Sequence, residues 1–230
     1  MIDWAWIADH LDDLASRTVQ HLYLTVIAVA VGLAIAAVLA LLSIRRRAMY
    51  PPIAAIAGIL YTIPSIALFA ALVPITRLSI LTAEVPLVLY TLLIFLRNIV
   101  AGFDSVPLDV VEAADGMGYT RRGRLLRVEL PLAIPLIVAG IRLATVSTVG
   151  LVTITGMIGD AYGGVGFFIF EGYRHGFPTE ILAGAVPSIG LAIALDVVLV
   201  SVQRLLTPWA RMRDAAGAGQ AVADVQAATP

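Results

Sequence analysis

Five stretches of this chain are apolar over enough residues to leave water for hydrocarbon, at about 22–44, 53–73, 85–101, 132–154 and 181–206. A bilayer core about 30 Å thick takes roughly 20 helical residues to cross, and the shorter runs reach that with tilt or flanking residues. Backbone N–H and C=O groups inside a bilayer have no water to bond, so a spanning segment pairs them internally as a helix or a closed barrel. Continuous apolar runs of this length predict helices. The expected fold class is therefore all-α, an integral membrane protein with about five transmembrane helices. Pro64 interrupts the second run, Arg142 lies in the fourth, and Pro187 and Asp196 lie in the fifth.

Composition narrows the function. With 60% hydrophobic and 13% charged residues, the chain lies far from soluble domains, which are about a quarter charged. A net charge of −1 provides no field for nucleic acid. Cysteine is absent, which excludes disulfides, thiolate metal sites and a thiol nucleophile. Every one of the 15 basic residues is arginine. Without lysine there is neither a Schiff base nor a Walker-type phosphate-binding lysine, so the chain is not expected to hydrolyse ATP itself. His10, His21 and His175 are scattered, and no metal site or cofactor is expected from them.

Charge placement sets an expected topology. Putting Arg45, Arg46 and Arg47, the loop after the third run and the tail on the cytoplasmic side gathers twelve arginines there and leaves Arg17, Arg77 and Arg174 outside. Residues 1–21, acidic and lacking a basic leader, then read as an external interfacial segment with Trp4 and Trp6 at headgroup level. Residues 22–206 form the transmembrane domain. Residues 207–230, rich in Ala, Gly and Gln, read as a disordered cytoplasmic tail. In the outer connection, Gly163, Gly164 and Gly166 suggest flexibility. The apolar run from Val165 to Phe170 suggests a re-entrant or interfacial helix buried against protein, or a lipid-facing cap.

The longest polar passage is 105–131, SVPLDVVEAADGMGYTRRGRLLRVELP. Apolar residues recur through it at helical spacing, at Leu108, Val111 and Ala114 and again at Leu125, Leu126 and Val128, which predicts two short amphipathic helices. Gly116 and Gly118 separate them where a turn needs backbone freedom. Ser105 and Thr120 are candidate caps, and Pro131 marks the edge of the next element.

Glu112-Ala113-Ala114, Gly118 and Val128-Glu129-Leu130-Pro131 resemble the EAA loop of ABC importer permeases. That pattern reads E-A-A, three residues, Gly, nine residues and I-x-L-P, with Val128 here in place of Ile. YTIPSIALFAALVP (61–74), LYTLLIFLRNIVAGFDSVP (89–107) and VELPLAIPLIVAGIRLATV (128–146) are similar to permeases for glycine betaine, choline, carnitine and related osmoprotectants. Gly163-Gly164-Val165-Gly166 departs from that group's A-G-G-L-G, having Tyr162 and Val165 for Ala and Leu. The resemblance covers residues 25–206 or so. It implies the MetI-like fold of a type I ABC importer in a bacterial plasma membrane, with cytoplasmic coupling helices docking on a separate ABC ATPase subunit. It also implies a second permease, identical or related, and an extracytoplasmic substrate-binding protein. Glu112, Ala113, Ala114, Gly118, Val128, Leu130 and Pro131 would then form the ATPase-coupling element. A permease for another small solute such as methionine is the nearest alternative. A secondary transporter or channel leaves the loop spacing unexplained, and an intramembrane enzyme lacks a dyad at helical spacing.

Other residues carry expectations of their own. Pro64 and Ser65 break the second run and free backbone carbonyls, either to line a pathway or to shape packing. With Tyr61, Gly163, Gly164 and Gly166 they form the candidate pathway and gate set. Tyr61, Phe69 and Tyr90 offer rings for a quaternary ammonium, or serve as packing. Arg121, Arg122, Arg124 and Arg127 suit an ATPase surface or anionic membrane lipid equally. Arg142 and Asp196 lie at matching depths, about 15 Å from the cytoplasmic side at 1.5 Å per residue. Their runs are antiparallel, so an ion pair is expected, with a substrate-contacting Asp196 as the competing role.

Overall fold

The computed structural model describes residues 2–208, and every regular element among them is helical. α1 (Trp4–Asp9) starts at Asp3, whose side chain accepts from the Trp6 N–H. α2 (Leu11–Arg45) runs for 35 residues, with Asp12 and Asp13 in its first turn and Arg45 in its last, both matched to the helix dipole. Residues 11–21 are therefore the opening turns of the first spanning helix, and only α1 stands apart from it. Nothing between His10 and Gly32 breaks a helix, so the acidic opening continues into the apolar run without interruption. At about 1.5 Å per residue the helix is near 50 Å long, more than the hydrocarbon core, so its polar opening projects beyond it. There Arg17 clasps the 155–165 connection, pairing with Asp13 at 3.2 Å and with Asp160 and lying 3.7 Å over the Phe167 ring.

α3 (Tyr50–Thr62) and α4 (Ser65–Thr76) divide the second run, bent by 90° about Ile63 and Pro64. Pro64 lacks an N–H and drives Ile63 to extended backbone, ψ 128°. The Tyr90 hydroxyl then donates to the freed Ile63 carbonyl. α5 (Ile80–Asp104) begins before the expected residue 85, opened at Ser79, whose N–H donates to Thr82 Oγ1 at 3.3 Å and whose carbonyl accepts from the Thr82 N–H at 3.0 Å. It is the centre of the bundle, packed on α2, α3 and α4 and on the later helix α8 (Leu130–Thr155). Of its most apolar stretch, 61% is buried, including Leu87, Phe95, Leu96 and Val100. Small residues permit this closeness. A Cβ at Gly140 of α8 would stand 2.5 Å from the Asn98 Cβ, and one at Gly102 would stand 2.9 Å from the Ala133 carbonyl oxygen.

α6 (Leu108–Gly116) is the first amphipathic helix of the polar passage. The second is not free-standing: α7 (Arg121–Arg124) passes through a π-helical turn (Leu125–Glu129) into α8. In that turn the Leu130 N–H reaches back five residues to the Leu125 carbonyl. Pro131, with no N–H to donate, falls where the ladder returns to four-residue spacing, so it does not end the helix. Thr120 caps α7, accepting from the Gly123 N–H at 3.2 Å. Ser105 does not cap α6; its hydroxyl donates to the Gly102 carbonyl at the end of α5.

α9 (Gly166–His175) lies against α8 and α10 (Pro178–Leu206). Among the described residues four helices are long and apolar enough to cross a membrane, and the bent α3–α4 pair makes a fifth if counted as one broken span. The proposed 207–230 tail lies, from residue 209 onward, outside the described residues.

Candidate functional site

The polar passage folds into one braced loop at the end of the bundle where α2 and α5 finish. α6 stops at Gly116, and the chain reverses through Gly118 at φ +80°. That left-handed conformation costs an L-residue about 1–2 kcal/mol and glycine almost nothing. The turn closes with Gly118 N–H to Asp115 O at 3.0 Å and Tyr119 N–H to Ala114 O at 3.1 Å. Ala114 is buried, whereas Glu112 and Ala113 are exposed. Glu112 makes no hydrogen bond or ion pair among the described residues. Leu108 and Met117 are 77% and 71% exposed, so both ends of α6 offer apolar surface beside that free carboxylate. Val128, Leu130 and Pro131 are half-buried at the root of α8.

Arg124 joins these parts. Its guanidinium pairs with Asp115 at the end of α6, and its Nε donates to Glu129 Oε1 at 2.7 Å in the π turn. Through these two charge-assisted contacts one side chain ties the end of α6 to the π turn at the root of α8. Glu129 occupies the unspecified position of the V-x-L-P segment, and its bracing role was not legible in the motif.

Farther along α8, Arg142 reaches α10. Its Nε donates to Asp196 Oδ1 at 2.9 Å and its Nη2 to Asp196 Oδ2 at 3.1 Å, a bidentate fork. Its Nη1 lies 3.3 Å from Gln203 Oε1, and Gln203 Nε2 in turn donates to the Pro135 carbonyl at 3.4 Å. The two helices are thus tied by three side chains, of which Gln203 was not foreseen.

At the α3–α4 bend a groove of about 440 Å3 is lined by Tyr61, Pro64, Ser65, Tyr90, Ser147 and Gly150 among others. Tyr61 and Tyr90 meet edge to face at 5.6 Å, with Tyr61 exposed and Tyr90 fixed by its bond to Ile63. Phe69 is not available to a ligand. It is fully buried against Leu24, Leu87 and Val152, because the right-angle bend lays the Phe69 side of α4 against α5 and α8 while the rest of α4 stays largely exposed.

Residues 28–212 match the family described as binding-protein-dependent transport system inner membrane component. The chain belongs to this family. It is 38% identical over 208 residues to the osmoprotectant import permease protein OsmW of Salmonella typhimurium, covering 88% of this chain and 96% of that protein. It is 36% identical over 196 residues to the glycine betaine/carnitine/choline transport system permease protein OpuCB of Bacillus subtilis, covering 85% and 89%. Among solved structures, an inward-facing MetNI methionine ABC transporter aligns with TM-score 0.73 at 24% identity, over 84% of this chain and 96% of that one. An amino acid ABC transporter with histidines aligns with TM-score 0.75 at 16% identity, over 89% and 99%. Identities this low speak to the fold, which is that of ABC importer permeases.

In this inner membrane component the 163–166 glycines serve packing, not the flexibility expected of them. A Cβ at Gly163 would lie 2.9 Å from the Gly156 Cα, and one at Gly166 would run into the Thr153 backbone. Gly164, at φ +50°, would place a Cβ 3.0 Å from the His21 side chain. Its N–H is held by Gln20 Oε1 at 2.9 Å. Close approach between backbones, as at any tight helix crossing in a membrane, explains the cluster. His21 is itself buried, with Nε2 2.9 Å from the Val149 carbonyl oxygen. Glu84 carries no signal in the sequence, because it lies just ahead of the apolar run expected from residue 85. It is buried in the second turn of α5 with neither oxygen bonded. No cluster of three His, Cys or acidic residues suited to a metal exists among the described residues.

Proposed function

We propose that this permease is the membrane subunit of an ATP-driven importer for quaternary-ammonium osmoprotectants such as glycine betaine, choline or carnitine. The observation that carries the coupling half of this reading is the loop itself. Glu112-Ala113-Ala114 and Gly118 lie at the spacing of an ATPase-docking element, with α6 exposed for a partner and braced to α8 by Arg124. The solute class follows from the osmoprotectant, choline and carnitine permeases it resembles over most of its length. The methionine alternative rests on fold likeness alone.

The mechanism follows from the bracing. Closure of two ATPase subunits moves the docked α6. Arg124 and Glu129 hand that displacement to α8, and the Arg142–Asp196 fork hands it to α10. Rigid helices tied at two points move as a body, which suits alternating access better than local flexing. A second permease completes the pathway, and a separate binding protein delivers solute at the α1–α9 end. The loop end faces the cytoplasm, where the clustered arginines satisfy the positive-inside rule. The groove at the bend offers the exposed Tyr61 ring and the Ser65 and Ser147 hydroxyls toward a passing cation.

Reconstitution with the cognate ATPase and binding protein tests this directly. ATP-dependent uptake of labelled glycine betaine, choline or carnitine that requires the binding protein is the expected result. Uptake of methionine but of none of the three would overturn the solute assignment, and ATP-independent uptake would overturn the class.

A further inference from the structure

Six arginines converge at the loop end from two separate parts of the chain. Arg45, Arg46 and Arg47 close α2, Arg121, Arg122 and Arg124 open the α7–α8 helix, and together they line one cavity of about 550 Å3. Internal acids neutralise only part of this charge. Arg47 pairs with Asp104, and Arg124 pairs with Asp115 and Glu129. Arg45, Arg46, Arg121 and Arg122 have no acidic partner among the described residues. Like charges gathered in one recess repel, so the cavity is built for an anion.

The remaining walls indicate which anion. Leu41, Ile44 and Leu125 line the same cavity, giving it an apolar side next to the arginines. Val31, Ile35, Val38 and Leu41 are exposed along α2, and their helical spacing makes a stripe that ends at Arg45. From 31 to 45 the stripe runs about 20 Å, enough to cover one leaflet of a core about 30 Å thick. A soluble anion or an acidic protein surface has no use for such a stripe, whereas an acyl chain does. Guanidinium forks in turn match phosphate oxygens in pairs.

We propose that this cavity is a binding site for an anionic phospholipid, its phosphodiester held between Arg45–Arg46 and Arg121–Arg122 and one acyl chain lying along α2. The bound headgroup bridges the end of the first span to the helix that carries the loop's brace. It thereby neutralises the repulsion between them and stiffens the loop. The inference requires only that α2 crosses the membrane and does not depend on the transported solute.

The test uses the purified full chain in detergent, titrated with phosphatidylglycerol or phosphatidylcholine and read by native mass spectrometry. Phosphatidylglycerol is expected to bind at least about tenfold tighter, since each surface arginine contributes roughly fivefold toward an anionic lipid. A four-site variant, R45Q/R46Q/R121Q/R122Q, should lose that preference. The control R77Q/R174Q, at the opposite end, should keep it. If the four-site chain fails to fold, R45Q/R121Q removes one arginine from each wall and should weaken phosphatidylglycerol binding by at least about fivefold. Equal binding of the two lipids, or an unchanged preference in R45Q/R121Q, overturns the site. Complete displacement of phosphatidylglycerol by millimolar inorganic phosphate would assign it to a free anion. Complete displacement by the ATPase subunit would assign it to a protein surface. Either result removes the lipid.

Discussion

Gly116 and Gly118 stand two residues apart in the loop, and a Cβ on either would meet nothing within 4 Å. They differ in backbone alone, for only Gly118 has positive φ, at +80°. Gly118→Ala therefore introduces no clash and isolates the conformational cost, about 1–2 kcal/mol for an L-residue in the left-handed region. The chain either keeps the turn at that cost or leaves it, giving up the Gly118–Asp115 and Tyr119–Ala114 bonds that close it. If docking requires the turn, the apparent affinity of the ATPase subunit falls by up to about 5–30-fold, the competent fraction being reduced by that factor. Gly116→Ala is the internal control. Gly116 ends α6 in ordinary helical geometry, where Ala is preferred over Gly by up to about 1 kcal/mol, so binding should be unchanged or slightly tighter. Asn tolerates positive φ better than Ala, so Gly118→Asn should fall between wild type and Gly118→Ala. The assay is ATPase-subunit affinity for the permease in nanodiscs, with helicity checked by circular dichroism. Equal effects of the two alanine variants would refute the turn argument, and normal affinity with Gly118→Val would remove the loop from the docking surface.

Three further outcomes follow from the packing. Arg142→Ala and Asp196→Ala should each lower thermal stability by stranding the other charge, and the swap Arg142→Asp/Asp196→Arg should recover much of it. No recovery, with Asp196→Asn stable but poor in transport, would give Asp196 to the solute pathway. Gly140→Ala should destabilise by about 1–3 kcal/mol, read as a lower Tm, because its methyl meets the Asn98 Cβ at 2.5 Å; Asn98→Ala keeps that Cβ and should not restore the Tm. Glu84→Gln should leave Tm unchanged or raise it, since the buried carboxylate has no hydrogen bond to lose, and a large fall in Tm would reveal an unseen partner.

The apolar runs made the spans legible, because a bilayer leaves few options for twenty apolar residues. Counting along antiparallel runs likewise made the meeting of Arg142 with Asp196 legible. What escaped were features set by tertiary contact. The acids at Asp12 and Asp13 read as the edge of a separate interfacial segment, although no breaker separates them from the first span. Pro64 announced a break without announcing its right angle, which depends on Phe69 finding the core and Tyr90 binding Ile63. Gly163, Gly164 and Gly166 look the same in sequence whether they loosen a loop or admit a neighbouring backbone. Arg124 and Glu129 show the same limit, since the brace exists only once α6 folds back beside the π turn.

The loop's contact with an ATPase is the claim on which the mechanism depends, and the absence of cysteine makes it directly measurable. Single cysteines at Met117, on the tip of α6, and at Tyr173, exposed on α9 at the opposite end, are paired in membranes with a cysteine-scanned ATPase subunit and treated with a short bifunctional cross-linker. A cross-link from Met117→Cys whose yield changes with bound nucleotide, and none from Tyr173→Cys, is the predicted result. Cross-linking from Tyr173→Cys with none from Met117→Cys would invert the topology and contradict the account.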